Sequence, residues 1–143
     1  MTTQAQIGWG AQLWIDNSSG TLTQIAEVTS ITPPNPQTAE KEATHFGSPN
    51  RRREYIAGLI EDGDATFGIN YKPSSATSAL IQEAQDSGTV RDYKIVLPDG
   101  TGTWEITGQL IVKGFSRSIP IDDKMTAEIA VRFTGAKTEA AGA

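Results

Sequence analysis

Three long stretches of this chain alternate apolar and polar residues with a period of two, and that pattern restricts the fold more than any other feature. Ala65, Phe67, Ile69 and Tyr71 alternate with Asp64, Thr66, Gly68 and Asn70. Trp104, Ile106, Leu110 and Val112 oppose Thr103, Glu105, Thr107 and Gln109, and Met125, Ala127, Ile129, Val131 and Phe133 oppose Thr126, Glu128 and Arg132. Successive side chains of a strand point to opposite faces, so each stretch predicts a strand with one dry and one wet side. In a monomer the wet rows meet solvent, as in any antiparallel sandwich. In a ring of copies the same rows line a channel.

The rest of the chain reads as more strand, punctuated by turns, and one helix. Trp9 to Ile15 and Thr23 to Ile31 flank Asp16-Asn17-Ser18-Ser19-Gly20 and predict an opening hairpin. Pro33, Pro34 and Pro36 donate no ladder hydrogen bonds, so the chain leaves that sheet as an extended connector. Thr38 to Phe46 follows as an exposed strand without a large apolar face. Its Glu40 and Glu42 are weaker candidates for a channel row, because both sides of the strand are polar. After Pro73-Ser74-Ser75, a short helix is expected to run to Ser87, with Ala76, Leu80 and Ala84 on its apolar face, Ser74 or Ser75 as cap and Gly88 as stop. Val90 to Leu97, Thr103 to Phe115 and Lys124 to Thr134 complete the strands. The Ala-rich residues 136–143 read as a flexible tail.

Chemistry is scarce. The chain has no cysteine and a single histidine, His45, which removes thiolate metal sites, disulfides, cysteine nucleophiles and His-rich clusters. Glu61, Asp62 and Asp64 lack the ligand spacing of a calcium loop, and Asp62-Gly63 more simply makes a turn. Asp122 and Asp123 are neighbours and read as turn residues. The expected cofactor set is none, with no metal and no catalytic residue. Among 143 residues no apolar run approaches the roughly 18 needed to span a bilayer, so no membrane insertion is expected. The formal charge of -5 disfavours a module that grips nucleic acid, since such affinity comes from clustered Lys and Arg displacing counterions. The one basic cluster, Arg51-Arg52-Arg53, reads either as a solvated loop or as a contact for an acidic patch on another copy. Trp9, Trp14 and Trp104 read as core or edge anchors.

Several segments in a fixed order resemble one family. They are Gly8-Trp9-Gly10-Ala11-Gln12-Leu13-Trp14, Val28-Thr29-Ser30-Ile31-Thr32-Pro33-Pro34, Thr44-His45-Phe46-Gly47-Ser48-Pro49 and Arg53-Glu54-Tyr55-Ile56-Ala57-Gly58-Leu59. Further on come Tyr93-Lys94-Ile95-Val96-Leu97-Pro98-Asp99-Gly100, Trp104, Gly114-Phe115 and Pro120-Ile121-Asp122-Asp123-Lys124. In this order, from Trp9 to Gly135, the chain resembles the tail tube (major tail) proteins of long-tailed, non-contractile bacteriophages of the lambda type. No single segment is specific to that family; the joint order is.

The resemblance implies a mainly β fold, an antiparallel sandwich or barrel with one flanking α-helix, closing into hexameric rings with a central β-barrel. It implies a single tail tube domain over 1–143, with a polar arm at 1–8 and a projecting inter-subunit loop at 46–59. It also implies stacking into a tube in the virion, assembled in the host cytoplasm. Expected partners are further copies of the chain, a tape-measure protein in the lumen, tail-tip and tail-terminator proteins, and viral double-stranded DNA in non-specific passage. An acidic lining suits a conduit, because an attractive wall would hold the duplex. Candidate lumen residues are Asp64, Thr66, Asn70, Glu105, Thr107, Gln109, Thr126 and Glu128. Candidate loop contacts are Arg51, Arg52, Arg53, Tyr55, Ile56 and Leu59. Two other readings fit the same composition: the tube of a contractile tail or type VI secretion-like device, and a monomeric β-sandwich binding a sugar or peptide.

Overall fold

The computed structural model describes residue 5, residues 7–100 and residues 102–142. Nine strands and one helix follow one another: β1 (Gln12–Asp16), β2 (Leu22–Gln24), β3 (Val28–Ser30), β4 (Gln37–Glu42), β5 (Tyr55–Glu61), β6 (Asp64–Asn70), α1 (Ala76–Ser87), β7 (Arg91–Asp99), β8 (Gly102–Ser118) and β9 (Thr126–Ala141). Seven strands form one antiparallel sheet in the order β2-β1-β7-β8-β9-β6-β3, curled into a half-barrel, and β4 and β5 form a separate two-stranded sheet. The expected mainly β architecture with one flanking helix is therefore present.

The apolar rows build the core inside the curl. Leu13, Ile15, Phe67, Ile81, Ile95, Leu110, Ile129 and Val131 are fully buried. Phe67 and Tyr93 each pack a ring against Phe133, with centroids 6.4 and 5.2 Å apart. Burying such side chains is worth roughly 1.5–3 kcal/mol apiece, and this closes the sheet on itself.

The opening hairpin forms as expected: Asn17 accepts hydrogen bonds from the amides of Ser19 and Thr21 and holds the turn between β1 and β2. Its second stretch does not continue to Ile31 as one strand. The chain breaks after Gln24, Glu27 takes a left-handed conformation (φ 53°), and β3 pairs with β6 at the opposite edge of the sheet. Curling brings the two edges close enough for residues 25–27 to cross. The Ala26 amide donates to Thr77 Oγ1 on α1, which fixes the crossing.

Helix α1 is capped by Ser75, whose side chain accepts from the Ser78 amide, and ends at left-handed Gly88 (φ 65°). Its buried face differs from the expected one: Thr77, Ser78, Ile81 and Ala84 are inside, whereas Ala76 is exposed and Leu80 half-buried. Small hydroxyl residues take core positions because the helix sits close against the sheet and bonds the β2–β3 crossing.

Two boundaries are corrected. The tail expected at 136–143 is strand as far as Ala141, because Thr138, Glu139, Ala140 and Ala141 pair with Thr107, Ile106, Glu105 and Trp104 of β8. The loop expected over 46–59 becomes strand at Tyr55, since Tyr55, Ile56 and Ala57 pair with Glu42, Lys41 and Glu40 of β4. The arm expected at 1–8 falls mostly on residues 1–4 and 6, which lie outside the described residues.

Candidate functional site

The strand registers place all eight candidate lumen residues on one face of the curled sheet, the face turned away from the core. On β6 and β9, Asp64 pairs with Arg132, Thr66 with Ala130, Gly68 with Glu128, and Asn70 with Thr126. On β8 the same face carries Glu105, Thr107 and Gln109, where Gln109 pairs with Thr134 of β9 and with Asp92 of β7. Register carries that face onward through Lys94, the partner of Thr107, to Trp14, the partner of Lys94. Period-two geometry holds over five strands, so these residues share a surface despite coming from distant parts of the chain.

The charges on this face are mixed. Asp64 accepts from Lys113 Nζ at 2.8 Å and from Arg132 Nη1 at 3.2 Å, and Arg132 Nη2 also lies 3.8 Å from Glu61. The Lys113 hydrogen bond, with help from Arg132, holds the Asp64 carboxyl below the usual carboxylate range. Lys113 continues the Glu105, Thr107, Gln109 and Ile111 side of β8 onto this face and stands in the bulge between Val112 and Gly114, where the pairing with β9 shifts by one residue. Lys94 lies 5.0 Å from the Trp14 ring centroid. Glu128 is exposed and Glu105 half-buried, and neither is in an ion pair among the described residues. Asp92 accepts from Gln109 Nε2 at 3.3 Å. Asn70 is half-buried, and its Nδ2 donates to Glu27 at 3.5 Å.

A second feature stands apart from the sheet. In the β4–β5 hairpin every β4 residue is exposed, and on β5 Tyr55, Ile56, Leu59 and Ile60 are 54, 61, 85 and 65% accessible. Register sets Glu40, Glu42 and Tyr55 on one side and Lys41 with Ile56 on the other. Leu59 borders a shallow groove with Gln37, Ala39, Lys41 and Glu61. A lone hairpin is marginal in water, and apolar side chains on both of its sides call for a covering surface.

The turn of the hairpin, residues 43–54, is internally braced. Ser48 Oγ donates to Glu54 at 2.7 Å, the Glu54 amide donates to Thr44 Oγ1 at 2.8 Å, and Pro49–Arg51 forms a 3-10 turn. Within it Asn50 and Arg51 both adopt φ of 55°. A left-handed arginine is unusual, and it presents Arg51, Arg52 and Arg53 as a run of exposed cations. All six candidate loop residues thus lie on this one arm, three at its tip and three along β5. The sequence offers no separate sign of Ile60, which adds to the exposed apolar surface, whereas Lys94 and Lys113 fall on the polar face by the same alternation, Lys94 between Tyr93 and Ile95 and Lys113 in step with Gln109.

No helix among the described residues is long and apolar enough to cross a membrane. Among them, no three His, Cys, Asp or Glu side chains gather as a metal ion would require.

Residues 12–140 match the lambda phage tail tube protein family. Structural protein 3 of Pseudomonas phage PAJU2 is 37% identical over 49 residues; the match takes in 34% of this chain and 30% of that protein, so it spans under a third of the relative's length. The tail of an empty GTA particle, solved with C6 symmetry, superposes with a TM-score of 0.74 at 19% identity, covering 94% of this chain and 98% of that one. The SPP1 tail tube superposes with a TM-score of 0.66 at 11% identity, covering 95% of this chain and 79% of that one. At such identities the likeness is one of fold.

Proposed function

From the chain's membership of the lambda phage tail tube protein family, a family of virion structural proteins, we propose that six copies close into a ring and that rings stack into a tube conducting double-stranded DNA. One observation carries the reading: the β4–β5 arm stands off the sheet with apolar residues exposed on both sides, and further copies of the same chain would cover them. Six-fold closure is supported by the C6 symmetry of the similar GTA tail. Lateral pairing of neighbours would also cover the free ladder groups of the edge strands β2 and β3, which otherwise invite aggregation. About four bore-lining strands from each of six copies make a barrel of roughly 24 strands, far wider than side chains can fill.

The face shared by Asp64, Thr66, Asn70, Glu105, Thr107, Gln109, Thr126 and Glu128 lines the bore in this reading. Glu105 and Glu128 carry the repulsion that lets a duplex slide, because Asp64 is already compensated by Lys113 and Arg132. Before ejection the same bore would hold a tape-measure protein, with tail-tip and tail-terminator proteins at its ends. Arg51, Arg52, Arg53, Tyr55, Ile56 and Leu59 make the inter-subunit contact.

Negative-stain electron microscopy of the purified protein, alone and with tail-tip components, tests this. Hollow tubes or annuli are expected. Dispersed single particles under both conditions would sink the proposal.

A further inference from the structure

Two projecting loops of this chain carry opposite unpaired charge beside exposed apolar side chains. The tip of the β4–β5 arm holds Arg51, Arg52 and Arg53, none in an ion pair among the described residues, and Phe46, which is wholly exposed. Its one carboxylate, Glu54, is engaged by Ser48 and lies 3.6 Å from His45. The loop between β8 and β9 holds Asp122 and Asp123, also without an ion pair among the described residues. Beside them Ile119 is 69% exposed and Ile121 fully so.

We infer that the 119–123 loop of one copy receives the arginine tip of the β4–β5 arm of the next. The inference rests on the tube reading above and names the surface on which the arm docks. Other acidic places fit less well. Asp64 is neutralised by Lys113 and Arg132. Near the end of α1, Glu83 is held at 2.8 Å by Arg91, and the large apolar side chain exposed beside it is the half-exposed Val90. Glu40 and Glu42 lie on the arm itself. Among the described residues, the 119–123 loop sets two adjacent carboxylates without ion pairs beside branched apolar residues that stand largely or fully in water, away from the arm itself, which is what Phe46 and three guanidinium groups require. Lys124 follows the pair, and its amide donates to Asp123 Oδ1 at 2.7 Å, which turns the loop back into β9. The two surfaces differ, so the contact is head-to-tail and propagates from copy to copy rather than closing a dimer. Matched charge fixes register between copies, and apolar burial at Phe46, Ile119 and Ile121 supplies the adhesion.

A charge swap tests it, read as tube yield by sedimentation and electron microscopy, with circular dichroism melts to confirm that each variant is folded. D122K/D123K and R51E/R52E/R53E are each expected to lower tube yield about tenfold or more, as expected for like charges set opposite one another. The chain carrying all five substitutions is expected to recover most of the wild-type yield. Because the chain has no cysteine, F46C/I121C tubes are also expected to give a disulfide-linked ladder under oxidation that neither single cysteine gives. Wild-type tubes together with undiminished assembly of D122K/D123K, no recovery in the folded five-fold variant, or rescue of the arginine variant by E40K/E42K instead, would overturn the docking assignment and leave the tube reading standing. A wild-type chain that never assembles would remove both.

Discussion

Lys113 Nζ lies 2.8 Å from Asp64 Oδ2 although their strands, β8 and β6, are separated by β9. Lys113 lies on the polar face in step with Glu105, Thr107 and Gln109 of the same strand, and it stands in the bulge at 112–114, where the ladder slips by one residue. Arg132, on the intervening strand, closes the group from the other side at 3.2 Å. One end of the candidate bore face is thereby charge-compensated, while Glu128 and Glu105 are left without ion-pair partners among the described residues.

Removing that lysine should release the carboxyl. Lys113→Ala is expected to raise the Asp64 pKa toward its ordinary range, seen by carboxyl NMR titration, because the Lys113 hydrogen bond is the largest cause of its lowering. A folded-state pKa below the unfolded one contributes stability above the unfolded value, and that stability is lost as pH falls through the folded one. The wild type should thus lose this small contribution on acidification, and Lys113→Ala should have less to lose. An unchanged Asp64 titration would show that the pair does not persist in solution.

Asp16 behaves in the opposite sense. Its pKa is raised, first by burial and then by the neighbouring Asp92 carboxylate, so the folded state favours its protonated form. Its contribution is then most favourable at acid pH and declines as pH rises through the folded pKa. Asp16→Asn should raise the melting temperature at pH 7 by roughly 2 °C, and the gain should vanish near pH 3. A gain that persisted at pH 3 would assign the effect to something other than charge.

Arg91 ties three elements together. Only 5% exposed, it gives two hydrogen bonds from Nη2 to the Glu83 carboxylate of α1 at 2.9 and 2.8 Å, one from Nη1 to the Asp16 carbonyl at 3.2 Å, and one from Nε to Thr89 at 2.8 Å. Arg91→Met keeps much of the packing but leaves these acceptors unsatisfied. A loss of about 2–3 kcal/mol in urea unfolding is expected, less than for a fully buried pair because Glu83 remains partly solvated. Arg91→Lys should recover only part of it, since a lysine cannot span the same fork.

How far the sequence discloses this molecule depends on which residues are asked. The rows on β6, the first half of β8 and β9 are legible because period-two alternation is a backbone property, so Asp64, Glu105 and Glu128 fall on one face without any tertiary knowledge. β5 is not legible, since Tyr55, Ile56, Leu59 and Ile60 are apolar without alternating; both sides of that strand are exposed. Residues 136–141 resemble a loose tail in composition, and pairing with β8 overrides weak strand propensity there. Thr77 and Ser78 are buried by a local hydrogen-bonded crossing that an apolar stripe cannot signal. The facing of Lys113 is legible, since it is in step with Glu105, Thr107 and Gln109, but its meeting with Asp64 across β9 is not, because strand order and register leave no mark on the pattern of one strand.

Gly108 shows how tightly the curl is drawn. It pairs with Tyr93 across β7 and β8, and a Cβ at that position would stand 3.0 Å from both the ring edge and the hydroxyl oxygen of this buried tyrosine. Gly108→Ala should therefore cost roughly 1–3 kcal/mol by overpacking, measured by denaturant unfolding. Pairing it with Tyr93→Phe should relieve little, because the ring edge meets the added methyl as closely as the oxygen does. Substantial rescue by Tyr93→Phe would instead locate the strain at the hydroxyl.

The last expectation concerns the proposed bore. Glu105→Lys with Glu128→Lys reverses two carboxylates on the polar face that have no ion pair among the described residues, while leaving the apolar rows, the arm and the 119–123 loop untouched. Tubes should still assemble, since neither residue belongs to the proposed contacts. Such tubes should retain short duplex DNA at low salt and release it steeply as salt rises, because each neutralised phosphate returns its counterion on release. Wild-type tubes should show no retention under the same conditions. If reversed and wild-type tubes held DNA equally, the face bearing Glu105 and Glu128 would not be the one a passing duplex meets.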